Sequence, residues 1–289
     1  MIIVHQMAKV ASMSWVEAAR PAAALMGTVP LHTHFLTERN LQTLADILAA
    51  PPDDNTLVNP LIVRSMLRNG RRAAEQVGAA RAAGQAVRLI SGMRDPVARS
   101  VSLLSFFADF CGHSARGLSA RDGATADDVC ATLEALWCAI LAGTEPRGSF
   151  ERLLWHMIGM YRSWFDQEFG TVFGLDVRAA PFPGGGVLRL HARGIEALVY
   201  RAEDLTSGTT GRHGVLDAAH AFLGGAGAGL PAINTAATRR SYPLYVATRD
   251  RFRLPLPILD AIYAAPIVRH FYRDEEIAAF KAHWQRPPR

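Results

Sequence analysis

The tightest constraint on this chain is its opening, where MIIVHQM leads through Ala8, Lys9, Val10 and Ala11 into SMSWVEAARPAAALM. The first segment is short, β-branched and apolar without alternation, which predicts a strand buried on both faces. The second has helical spacing, with Ser12 or Ser14 expected as its N-cap. The pattern then recurs. TVPLHTHFL is a second extended segment, and Thr37 with NLQTLADILAA opens a helix that PPDD ends. Residues 61–84 carry Arg64, Arg68, Arg71, Arg72 and Arg81 on a helical pattern, and QAVRLISGM after Gly84 is a third strand. Strands alternating with helices in this way predict an α/β fold with a parallel sheet flanked by helices.

Further along, a helix is expected from Pro96 to about Phe110, and two amphipathic helices over 125–142 and 147–168, so that residues of about 111–168 form a helical insertion. The stretch FGLDVRAAPFPGGGVLRLHARGIEALVYRAEDL returns to strand character, with PFPGGG as a turn, and the chain finishes in helices. No repeat, low-complexity tract or long linker divides it, so residues 1–289 read as one domain. The 49% apolar content is enough for a sizeable core.

A net charge of +5 and a pI near 9.4 suit anionic ligands, with no feature that points to nucleic acid. Cys111, Cys130 and Cys138 form no CxxC pair, so neither a disulfide framework nor a zinc site is indicated, and reduced core residues are expected. No signal peptide and no apolar run of about 18–20 residues is visible, which predicts a cytoplasmic protein without an integral membrane segment. Oligomeric state leaves no mark in the sequence.

The chemistry concentrates at two strand–turn–helix junctions. In the first, Lys9 precedes small residues at a helix start, where unpartnered N–H groups and the helix dipole favour an anion. In the second, LISGMRDPVARSVSLLSFF places Arg94 at a strand end, Pro96 in the first helical turn and Ser102 about two turns further on. Ligands of open α/β sheets bind beyond the carboxyl ends of the strands, so Lys9 and Arg94 can converge if their strands are neighbours. Two anion sites on adjacent strand ends suggest one ligand with two phosphate groups.

KVASMS followed by RDPVARSVS resembles the two nucleotide-binding motifs of sulfotransferases that use 3′-phosphoadenosine 5′-phosphosulfate (PAPS). The resemblance implies that Lys9, Val10, Ala11, Ser12, Met13, Ser14 and Trp15 wrap the 5′-phosphosulfate and that Arg94 and Ser102 hold the 3′-phosphate. Ala11 stands where glycine is common in that family, and Met13 where Ser or Thr is common. LHTHFL resembles the His-x-His segment of carbohydrate sulfotransferases acting on uronyl 2-hydroxyls, which implies His34 as general base, His32 as its support and Lys9 as stabiliser of the leaving group. Arg239 and Arg240 in TRRSYPLY take the place of late basic residues that close over the 3′-phosphate. WFDQEFGTVFGLDV, LVYRAEDL and PLPILDAIYAAPIVRHFYRDEEI resemble a bacterial group labelled as capsular polysaccharide synthesis proteins. Matching covers residues 1–36 and 87–110 well and about 164–285 more loosely.

What the resemblance implies is a P-loop-like α/β fold with a helical C-terminus and a sulfotransferase that takes PAPS, needs no metal and acts on a hydroxyl of a carbohydrate or glycan-like acceptor. Read from the residues alone, His32 and His34 lie two apart on a strand and share a face, and no further ligands stand at metal-site spacing. Two alternatives stay open. One is a kinase-like phosphotransferase using a nucleoside triphosphate, for which the GxxxxGK[ST] pattern is missing. The other is a non-catalytic nucleotide- or glycan-binding relative. Glu203 and Asp204 are expected to hold loops, and the aromatic stretch around Trp155, Tyr161, Trp164 and Phe165 reads as core.

Overall fold

The computed structural model describes residues 1–49, 60–108, 124–183, 186–205, 210–225, 230 and 240–287. Its strands are β1 (Ile2–His5), β2 (Leu31–Thr33), β3 (Val87–Met93), β4 (Leu188–Ala192) and β5 (Ile195–Arg201). The helices are α1 (Ser12–Leu25), α2 (Glu38–Ala49), α3 (Pro60–Ala82), α4 (Pro96–Ala108), α5 (Ala126–Ala142), α6 (Ser149–Gly159), α7 (Thr210–Phe222), α8 (Tyr242–Arg251), α9 (Leu256–Tyr263), α10 (Pro266–Phe271) and α11 (Asp274–Trp284). The chain is α/β, and it divides into two compact units, Met1–Gln42 with Ser65–Arg94 and Ser163–Asn234, and Thr43–Arg64 with Asp95–Arg162 and Thr235–Arg289.

The first unit is built on a five-stranded sheet in the order β2-β1-β3-β5-β4. β1, β2, β3 and β5 are parallel, whereas β4 runs antiparallel along β5. The expected parallel sheet holds for four strands, and β4 adds an antiparallel edge to it. The cause of that edge is local: Arg193 and Gly194 both adopt positive φ, at 45° and 79°, and so form the tight two-residue reversal that a hairpin needs. The hairpin reversal falls here; at PFPGGG, whose residues 184 and 185 lie outside those described, the Gly186 N–H donates to the Pro183 carbonyl at 3.4 Å, as a turn there requires. Strand character begins at Leu188, so FGLDV is not a strand.

Strand residues alternate between the two faces of the sheet. Ile2 and Val4 of β1 join Ile90, Leu198 and Tyr200 under α1 and α7 in one apolar cluster. His5, of opposite parity, enters an aromatic group with Trp164, Phe169 and Phe173, its ring 4.8 Å from that of Trp164. Tyr161, Trp164 and Phe165 are buried, as expected of core residues, whereas Trp155 is only half-buried. The helix expected over 147–168 is a correction: α6 ends at Gly159, tightens to a 3-10 turn over Met160–Arg162 and widens into a π-helix over Phe165–Thr171. The wider turn allows Phe165, Glu168 and Phe169 to be buried together.

The second unit is helical among its described residues. Asp95 is fully buried at the start of α4 and accepts hydrogen bonds from the Val97 and Ala98 N–H groups, from the Tyr263 hydroxyl at 2.6 Å and from the Trp284 indole at 2.7 Å. One carboxylate thus caps α4 and ties down α9 and α11. Burial pushes its carboxyl above the usual range against those four bonds. Arg99 donates to the Met157 and Ile158 carbonyls at the end of α6. Thr125 and Asp128 form a capping box for α5, which ends on Gly143 at φ 69°. Cys130 is half-buried and Cys138 exposed, both as free thiols, which corrects their assignment to the core. The buried face of α5 belongs instead to Val129, Leu133, Leu136, Trp137 and Ile140. Cys111 lies outside the described residues. Among those described, no helix is long and apolar enough to cross a membrane.

Candidate functional site

β1 lies between β2 and β3, so the carboxyl ends of all three open onto one edge of the sheet in the first unit. The Lys9 turn, His32, His34 and Arg94 are brought together there.

The turn between β1 and α1 is strained in a specific way. Lys9 and Ala11 both sit in the left-handed region, at φ 72° and 67°. For a residue bearing a Cβ this costs about 1–2 kcal/mol each. Ala11, not Ser12 or Ser14, is the N-cap of α1, and it makes no side-chain cap hydrogen bond. The first turn of α1 carries no acidic residue either. The helix start carries the positive end of the helix dipole and N–H groups that have no partner within the helix. Left-handed residues beside such a start are the backbone form of an anion-binding concavity.

Two contacts hold the strain in place. The Arg94 guanidinium donates to the Lys9 carbonyl at 3.1 Å. The Tyr200 hydroxyl, from β5, is shared between the Val10 carbonyl and the Gln6 side-chain carbonyl, the latter at 2.8 Å. Burial pushes the Tyr200 phenol well above its usual range, so it stays a donor. Its ring reaches the turn by crossing β3 at Gly92, where a Cβ would stand 2.6 Å from the ring. Val10 and Trp15 are fully buried, and the Trp15 ring packs 4.9 Å from that of Tyr200. Trp15 therefore founds the turn, and its N–H closes the first helical bond on the Ala11 carbonyl at 3.3 Å. Ser12 and Met13 are half-buried, and Ser14 is buried.

On the β2 side, His34 Nδ1 lies 2.7 Å from the Gln6 carbonyl. A carbonyl only accepts, so Nδ1 carries the proton and the basic lone pair of the neutral ring resides on Nε2. His32 and His34 share a face, with ring centroids 4.9 Å apart. Burial, and then the proximity of His34 and His5, push the His32 imidazole down to about 3. It is a neutral neighbour, with a buried Nε2 that has no protein partner. Among the described residues, no group of three or more His, Cys, Asp or Glu is arranged to hold a metal ion.

Ser102 lies on α4 and Arg240 just before α8, both in the second unit, and Arg239 lies outside the described residues. Asp204 is held in a double hydrogen bond with Arg201 of β5, 2.8 Å on each side. Three residues that sequence reasoning passed over belong to this site: Gln6, Tyr200 and Glu168. Glu168 had a visible signal, a carboxylate among Phe165, Phe169 and Phe173. Such an acid is either misplaced or fully hydrogen-bonded.

No protein-family model matches the chain, and no curated protein or solved structure matches it significantly.

Proposed function

We propose that this protein is a PAPS-dependent sulfotransferase acting on a hydroxyl of a carbohydrate or glycan-like acceptor. The observation that carries the reading is the β1–α1 turn, with Lys9 and Ala11 left-handed, an alanine at the N-cap of α1 and Arg94 bonded across the turn. Such a turn accepts an anion through backbone N–H groups at once, without rearrangement. The P-loop-like character of the sheet belongs to the same reading, as does the assignment of Ser102, Arg239 and Arg240 to the 3′-phosphate.

In the reaction, His34 Nε2 takes the proton of the acceptor hydroxyl as its oxygen attacks sulfur in line. The new O–S bond forms as the bond from sulfur to the 5′-phosphate oxygen breaks. Lys9 stabilises the charge that gathers on that oxygen, and 3′,5′-adenosine diphosphate departs. His32, held neutral, adds no competing positive charge beside the base. The reading needs no metal.

Calorimetric titration with 3′,5′-adenosine diphosphate, AMP and ATP with Mg²⁺ tests it, followed by transfer of sulfate from PAPS to oligosaccharide acceptors. The expected result is selective binding of the bisphosphate. Preference for ATP with Mg²⁺ would replace the reading with a phosphotransferase. Bisphosphate binding with no transfer to any acceptor would leave a binding protein.

A further inference from the structure

Glu168 is a charge placed where charge is expensive. It is fully buried, and it lies on the π-helix Phe165–Thr171, a form found mostly as single turns at functional sites. Its carboxylate accepts the Leu36 N–H at 2.8 Å, the Thr37 N–H at 3.2 Å, the Thr37 hydroxyl at 2.9 Å and the Asn40 amide at 2.6 Å. His5 Nε2 stands 3.3 Å away. Burial pushes the Glu168 carboxyl up, but the nearby His5 imidazole and the hydrogen bonds from the Asn40 amide and the Leu36 N–H outweigh it and hold the group below the usual carboxylate range. Glu168 is therefore an anion in the folded chain.

Four of these bonds go to residues 36–40, the turn that leads from His34 into α2. A helix start needs only a neighbouring Ser, Thr or Asp for its N–H groups. Here the acceptor comes instead from a distant segment that also touches His34 itself, because Trp164, one residue before the π-helix, donates its indole N–H to the His34 carbonyl at 3.0 Å. The base is thus fixed at three points: its ring by Gln6, its carbonyl by Trp164 and the chain that follows it by Glu168.

We propose that Glu168 is a positioning residue, which sets the orientation of the His34 imidazole by holding the turn between β2 and α2. The inference rests on the reading of His34 as the general base. Glu168 touches neither donor nor acceptor, so its removal acts on the placement of the base and spares the anion turn. A displacement of about 1 Å at a reacting group lowers turnover by about 10²-fold.

The test is Glu168→Gln in the full chain, which keeps the volume and replaces one acceptor oxygen with an NH₂ that opposes the donors. Calorimetry with 3′,5′-adenosine diphosphate counts binding-competent molecules, and turnover is expressed per competent site. The expected result is unchanged affinity, turnover per site about 10²-fold lower, and a changed ¹⁵N signature of the His34 ring, read by NMR without substrate. Turnover that merely follows the number of competent sites would show a structural role and overturn the inference, as would an unaltered His34 signature. Should Glu168→Gln not fold, Thr37→Val removes a single donor to the carboxylate and is expected to show the same division between affinity and turnover, with a smaller loss. A parent chain that binds no bisphosphate overturns the functional reading itself, a result that does not depend on Glu168.

Discussion

Ala11 carries a left-handed backbone, at φ 67°, that its side chain disfavours. A left-handed alanine costs about 1–2 kcal/mol, and glycine would relieve it while adding about 0.4–1 kcal/mol of unfolded-state entropy. Ala11→Gly is therefore expected to raise stability by up to about 1.6 kcal/mol, read as a higher urea midpoint at constant slope, with bisphosphate affinity retained. A lower midpoint would show that packing of the Ala11 methyl on the α1 cluster outweighs the strain. The same residue marks how far the sequence could be read. Small residues before a helix announce a close approach, but which of them turns left-handed depends on Arg94 and Tyr200 reaching the turn from β3 and β5. Those partners are distant in sequence and leave no local signal. The Ser N-cap was the natural expectation, and it fails because the left-handed Ala11 occupies the N-cap position.

At the scale of elements, α3 approaches the turn after β2 more closely than any side chain would permit. A Cβ at Gly70 would stand 2.5 Å from Leu41 Cδ2 and 2.7 Å from the Phe35 carbonyl oxygen. Glycine inside a helix ordinarily weakens it, and here the cost admits the contact. Gly70→Ala is expected to destabilise by about 1–3 kcal/mol, measured by denaturant unfolding, and to lower turnover through the neighbouring His34 while leaving bisphosphate binding in place. Retained stability would mean that α3 slides away without effect. Most elements were legible, because buried parallel strands and amphipathic helices carry their period in sequence: β1, β3, α1 and α5 fall where the apolar spacing puts them. The π-helix and the β4 direction were not legible. A π turn has no period long enough to read, and strand direction follows from one two-residue reversal at Arg193 and Gly194.

For the whole molecule, the half-buried histidine of β2 couples stability to pH. The unfolded His32 takes up a proton near 6.5, whereas the folded one refuses it until about 3. Its contribution is complete above pH 6.5 and is lost as the pH falls toward 3. Denaturant midpoints measured from pH 7 down to 4 should fall, and His32→Asn should flatten the decline by at most one proton's slope. An identical decline in the variant would assign the acid sensitivity to other groups. The long reach of the sheet has a further meaning for a chain leaving the ribosome. β3 waits with one edge bare until residues 195–201 have been made, and the phenol that braces the Lys9 turn arrives on that same strand. A nascent chain therefore holds every residue of the Lys9 turn long before it holds the turn's shape, and under the proposed function it captures no nucleotide until β5 docks.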